Sequence, residues 1–348
     1  MSRLLKYSGI ITKVRAMSAR LLSHDDFVQI ASLPSVTDFI DFLKNHPAYE
    51  KSFEPWDKYS LHRGDVEKVL VQSIYDDYTK LYLFGDIHIR KFLLFYMKWY
   101  EVELINYCFR IVLNHYEEPF DMNYKKPFFD RFSQLKLEDL ALSKNETELV
   151  ENLRDTEYYD CMKTLLDTGK ASLYDYNLAL NLYYYKAVWK ERKKCLKGKE
   201  LDMYTKKCGS NIDLLNIQWI YRSKKYYNMS EADLYSILIP IQYHIKQEQL
   251  KQFIEAPDLN MYLKLVRESY YGRKYPVDED YTLERIYKQC LEHLYLADFR
   301  SNPYSIATIN RYLFQKEEEI EKLTTTLECI RYGIDSVETL KYVGGVAK

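Results

Sequence analysis

The chain repeats itself three times at intervals of about 110 residues, and this periodicity limits what it can fold into. Residues 36–53 read VTDFIDFLKNHPAYEKSF, residues 147–162 read TELVENLRDTEYYDCM, and residues 259–275 read LNMYLKLVRESYYGRKY. Aligned on their leucines, Leu43, Leu153 and Leu265 correspond, as do Phe39, Leu149 and Met261. Tyr49, Tyr159 and Tyr271 follow in the same frame. A second set of segments keeps nearly the same interval: ELINYCF from Glu103, DLLNIQW from Asp213 and EIEKLTT from Glu319. Each has an acidic residue and a polar one three positions later. Repeats of about 20–50 residues signal a solenoid. A unit near 110 is the size of a small domain. Three similar domains are therefore expected, arranged around something they enclose.

The 348 residues contain only 10 Gly and 9 Pro. Few turn formers favour long helices over many short strands, so the predicted class is all-α. Helical periodicity supports this. In residues 65–83 the apolar face is Val66, Val69, Leu70, Ile74 and Leu81, with Gly85 as C-cap. Asp86 then caps a helix to about His115, with an apolar stripe of Phe92, Phe95, Trp99, Val102, Ile105, Phe109 and Val112. Further long helices are predicted from Ser172 to about Leu201, over 212–227, and over 303–330 with Gly333 closing the last. Ser23, Ser143 and Ser230 each precede an acidic residue by three, a capping-box signature. Residues 115–131 carry Pro119 and Pro127 and no helical stripe, which marks a first boundary; a second falls near 228–230. The expected organisation is an N-terminal helix over 1–22 and helical repeats over 23–128, 129–229 and 230–348.

The composition excludes several classes of function. A formal net charge of −1 supplies no global field for nucleic acid. Six Cys without a CxxC pair argue against a zinc site. Their scatter, with no secretion signal at the N-terminus, favours a reducing compartment. The longest apolar run, FLLFYM, stops at Lys98, short of the roughly 20 residues a membrane span needs. The seven His have no HxxxH or HxH spacing, and no phosphate-binding GxxxxGK[ST] or nucleophile elbow GxSxG occurs. No catalytic residue, cofactor or metal is expected. The 35 Tyr suit half-buried surface, as in a protein with a cavity or broad partner contacts, because the ring buries while its hydroxyl stays wet. An AT-rich coding bias would give the same count without functional meaning.

The sharpest constellation is the repeated acidic-x-x-polar element: Glu103 and Asn106, Asp213 and Asn216, Glu319 and Lys322. On a helix each pair lies on one face, one turn apart. A catalytic acid is not needed three times, so the pairs read as side-chain bonds that lock each long helix to its neighbour. Lys322, standing where Asn is expected, leaves that bond open to question in the third repeat. Asp25-Asp26 and Asp76-Asp77 invite comparison with the Mg²⁺-binding DDxxD of helical prenyl-diphosphate enzymes. The third carboxylate is missing, and solvated helix starts and faces explain both pairs. The basic stretch 190–199 reads as a solvated helix end favoured by the dipole.

Several segments in order resemble one family. KVRAMSARLLS followed by DFIDFLKNHPAY, then WYEVELINYCFR, then NPYSIATINRYLFQKEEEIEKLTTTLECIRYGI are similar to segments of the C subunit of V/A-type rotary ATPases, equivalent to the d subunit of eukaryotic V-ATPases. The resemblance covers essentially the whole chain. It implies a funnel of three helical domains about a pseudo-threefold axis. The narrow end of such a funnel rests on the cytoplasmic loops of the membrane rotor ring, and the wide end receives the central shaft subunits. A non-catalytic, cytoplasmic, peripheral subunit is implied, present in one copy, monomeric in isolation, and carrying torque for ATP-coupled transport of H⁺ or Na⁺. A generic helical scaffold and a helical pocket enzyme are the competing classes. An open superhelix would mark the first, and a convergent set of perturbed carboxylates the second.

Overall fold

In a computed structural model, residues 3–57, 59, 61–115, 121–227, 229–275 and 283–343 are described. Among them every regular element is helical, and the class is all-α. In chain order the helices are α1 (Arg3–Ser18), α2 (His24–Ala31), α3 (Val36–Asn45), α4 (Glu50–Phe53), α5 (Arg63–Phe84), α6 (Ile87–Leu113) and α7 (Lys126–Phe132). There follow α8 (Leu137–Ala141), α9 (Glu146–Glu151), α10 (Tyr159–Leu166), α11 (Leu173–Cys195), α12 (Gly198–Arg222) and α13 (Glu231–Ile237). The last are α14 (Gln247–Glu255), α15 (Leu259–Glu268), α16 (Tyr270–Lys274), α17 (Leu283–Ser301), α18 (Ile306–Arg331) and α19 (Ser336–Tyr342). One turn of π-helix, Ser223–Tyr227, extends α12.

The chain forms two units. One comprises residues 1–90, 123–128 and 302–348, so both ends of the sequence share it. Its centre is α18, which buries Ile309, Leu313, Leu323 and Leu327 among α1, α3 and α5. Phe128, at the start of α7, stacks on Tyr75 of α5 with ring centroids 4.2 Å apart. The other unit comprises 91–122 and 129–301. There α12 packs along α17, and Leu214, Ile217 and Ile220 join Phe253 of α14 and Tyr262 of α15 in one core.

Local chemistry explains where the helices begin and end. Ser23 and Ser172 form reciprocal capping boxes with Asp26 and Asp175. Ser230 accepts from the N–H of Asp233. The expected start at Ser143 is displaced: Asn145 caps α9, accepting from Glu148 N–H at 2.9 Å. Gly85 does follow α5, but not in a left-handed conformation; a Cβ there would come within 2.6 Å of Ile89, so the glycine permits close approach. Asp86 accepts from Ile89 N–H at 2.9 Å and starts α6. Gly333, at φ +66, ends α18 as expected, with Ile334 N–H donating back to Cys329. Two expectations fail. The helix from Ser172 stops at Cys195 instead of about Leu201, and α12 starts at Gly198 instead of 212. The cause is a tight turn with Leu196 buried and Gly198 at φ +54. Residues 126–132, in the segment that lacks a helical stripe, form α7, where Pro127 occupies the first turn and loses no helical bond.

Ser35, Asn145 and Asp258 cap α3, α9 and α15 in the same extended conformation, with φ between −148 and −147. Each accepts from the N–H three residues on. Counting four from each cap reaches Phe39, Leu149 and Tyr262, all fully buried. Met261, aligned with Phe39 and Leu149 in the sequence, is exposed. Leu265, aligned with Leu43 and Leu153, is half-buried, and its neighbour Val266 is buried.

Candidate functional site

Three buried or half-buried carboxylates on the long helices α6, α12 and α18 each take a tyrosine hydroxyl. Asp213 on α12 accepts from Tyr271 Oη at 2.9 Å. It also accepts from the backbone N–H groups of Tyr243, His244 and Ile245 at 3.3, 2.7 and 3.0 Å. One turn later, Asn216 donates to Ile239 O at 3.0 Å and accepts from Ile239 N–H at 2.9 Å. Together they pin the irregular segment 239–245 along α12. Gly209, one turn earlier, lets the Tyr243 ring lie on the helix: a Cβ there would sit 2.4 Å from that ring. The bonded neighbour is thus the loop 239–245.

Glu319 on α18 is built differently. Its Oε1 accepts from Tyr49 Oη at 2.5 Å and from Lys316 Nζ at 3.1 Å, and its Oε2 accepts from Leu22 N–H at 2.6 Å. Lys316 also donates to Tyr49 Oη at 2.8 Å, and its side chain is only 3% exposed. Lys322 is half-buried over the Phe27 ring, with 5.8 Å from Nζ to the centroid. No motif in the sequence singles out Lys316.

On α6 the acid in this role is Glu101, which the repeated spacing also fails to mark. It accepts from Tyr158 Oη at 2.7 Å and from the Ser133 hydroxyl. Glu103, expected to lock α6, is exposed. Asn106 is buried, with its Oδ1 unbonded. Helix phase supplies the reason. Glu101 is four residues from both Met97 and Ile105, which are buried, whereas Glu103 is rotated about 200° from Glu101. Tyr159, assigned to the repeat from sequence, instead donates to Glu151 at 3.2 Å, and its neighbour Tyr158 turns inward.

Burial governs the electrostatics. It raises the carboxyls of Glu101 and Asp213 above their ordinary values even though hydrogen bonds to Ser133 and Tyr158, and to the loop N–H groups and Tyr271, favour the charged form. The Tyr49, Tyr158 and Tyr271 hydroxyls are pushed up, first by burial and then by the adjacent carboxylate, and stay protonated as donors. These carboxylates are satisfied and none faces a reacting group, so the arrangement holds segments together.

The other sequence candidates sit in ordinary structural roles. Asp26 belongs to the Ser23 cap, with His46 Nε2 at 3.8 Å, and Asp25 is exposed. Asp76 accepts from Gln72, while Asp77 accepts from Lys80 at 2.8 Å and from Tyr312. In the basic stretch 190–199, Arg192 lies over the Trp189 ring at 3.5 Å and donates to Thr205. No cluster of three His, Cys, Asp or Glu suited to a metal occurs among the described residues. No described helix is long and apolar enough to cross a membrane.

Comparison with known proteins is decisive at the family level. Residues 10–342 match the model of the ATP synthase (C/AC39) subunit family. The protein named as the C subunit of the A-type ATP synthase in Thermococcus kodakarensis is 24% identical, with 98% of this chain and 91% of that protein aligned. The protein of the same name from Pyrococcus abyssi is also 24% identical over the same shares. That from Methanosphaera stadtmanae is 22% identical over 89% of this chain and 80% of its own length.

Proposed function

Because the chain belongs to the ATP synthase (C/AC39) subunit family, we propose that it is the non-catalytic central-stalk subunit of a V/A-type rotary ATPase. It connects the membrane rotor ring to the central shaft and carries torque for ATP-coupled transport of H⁺ or Na⁺. The observation that carries this reading is the family match over residues 10–342. The chain would lie at the cytoplasmic face, peripheral to the membrane, in one copy per complex.

A torque carrier must resist shear. We propose that the chain meets this need with three six-helix repeats, α2–α7, α8–α13 and α14–α19, following α1. Three observations support the scheme. The caps of α3, α9 and α15 share one backbone conformation. Each long helix α6, α12 and α18 carries a tyrosine-bonded acid. The bonds also run in sequence: Glu101 of the first repeat to Tyr158 of the second, Asp213 of the second to Tyr271 of the third, and Glu319 of the third back to Tyr49 of the first.

Affinity purification of the tagged chain from its native membranes tests the assignment. Shaft and ring subunits are expected to copurify, with one copy of this chain per shaft. Recovery of the chain without either partner, from membranes that hold an intact rotary ATPase, contradicts it.

A further inference from the structure

A cavity of about 320 Å³ opens between α1, α4, α5 and α18, all within the unit that contains both chain ends. Lys13 and Arg20 of the α1 segment, Lys51 of α4, Lys80 of α5 and Lys316 of α18 line it, with Asp77 as the single acid among the described lining residues. Asp77 is held by Lys80 and Tyr312, and Lys316 is held by Glu319. Lys13, Arg20 and Lys51 make no ion pair with any described residue. They converge from two segments on one hollow without compensation.

Uncompensated like charges around a recess repel one another, and the field between low-dielectric walls is focused inward. Such an arrangement is stabilised by a bound anion. We propose that this cavity binds a small anion of the phosphate class carrying at least two negative charges. The volume sits at the lower end of the roughly 300–1,000 Å³ typical of small-molecule sites, which suits a phosphate or diphosphate group. The donors match as well. Arg20 offers a planar fork to two phosphate oxygens, while Lys13 and Lys51 act as point charges. A monovalent anion would leave most of the charge unbalanced. Nothing in the rotary role requires this site, so it stands or falls independently of that role.

Titration calorimetry of the full chain with inorganic pyrophosphate, against sodium chloride at matched ionic strength, tests the proposal. One saturable site is expected. Arg20→Gln and Lys51→Gln should each weaken it about tenfold, the loss of one charge-assisted contact. Both side chains are exposed, so neither change removes a core group. Lys194→Gln, on α11 and outside the lining, should leave the affinity unchanged. Absence of saturation overturns the proposal, as does an equal loss in Lys194→Gln. So does saturable binding of polyglutamate without binding of pyrophosphate, which would make the cavity a seat for an acidic protein segment.

Discussion

Asp213 on α12 and Glu319 on α18 are both buried acids of long helices, yet they are satisfied in opposite ways. Asp213 has no cation among its bonded partners: three consecutive backbone N–H groups and the Tyr271 hydroxyl receive it. Glu319 has one backbone N–H, the Tyr49 hydroxyl and the buried ammonium of Lys316. A buried carboxylate needs its charge met by donors, and either several neutral donors or one cation with fewer donors suffices. The loop 239–245 supplies the first solution because three successive amides turn toward α12. Leu22 offers a single amide, and Lys316 makes up the difference. The two sites should therefore fail differently.

The largest expected effect is at the ion-paired site. Lys316→Met leaves Glu319 buried without its cation and should cost about 3–5 kcal/mol in denaturant unfolding. Replacing both residues, Lys316→Met with Glu319→Leu, should recover much of that loss, because no uncompensated charge remains. A single variant as stable as the parent would erase the contrast between the two sites. At the neutral site the corresponding change is smaller. Asn216→Ala removes both bonds to Ile239 and should cost about 1–3 kcal/mol. Glu103→Ala on the exposed face of α6 should stay within about 0.5 kcal/mol, and a loss equal to that of Asn216→Ala would assign Glu103 a locking role.

The subtlest effect concerns pH. Burial raises the folded-state pKa of Glu101 above its unfolded value of about 4.3. The stability this adds is fully present below the unfolded pKa and is lost as pH rises through the folded one. The stability gap between the parent and Glu101→Gln should therefore be widest in acid, narrow as pH rises, and level off once Glu101 is ionised. Melts across this range in which the gap widens with pH would contradict the assigned direction.

The all-α class and most of the long helices were legible because apolar stripes and caps are local signals. Asp86, Ser172 and Gly333 act where the sequence places them. In WYEVEL the acid bonded to a tyrosine is Glu101, which stands outside the conspicuous Glu-x-x-Asn spacing, while Glu103 of that spacing is exposed and Asn106 is buried. Tyr158 and Tyr159 cannot be told apart by composition; burial separates them. The break at residues 196–198 escaped notice because Leu196 continues an apolar pattern, and only the left-handed Gly198 reveals the turn. Lys316 looked like one more surface cation in a charged stretch. Its burial depends on Tyr49, 267 residues away in sequence, and no local pattern carries that information.

The central claim is that this chain transmits torque without catalysing anything, and ion pumping measured beside ATP hydrolysis tests it most directly. Rotary ATPase should be reconstituted into vesicles with and without the chain, and both rates followed in the same preparation. Without it, hydrolysis by the soluble head should persist while ion transport is abolished, and adding the purified chain back should restore transport. Vesicles that pump at normal efficiency without the chain would contradict the account.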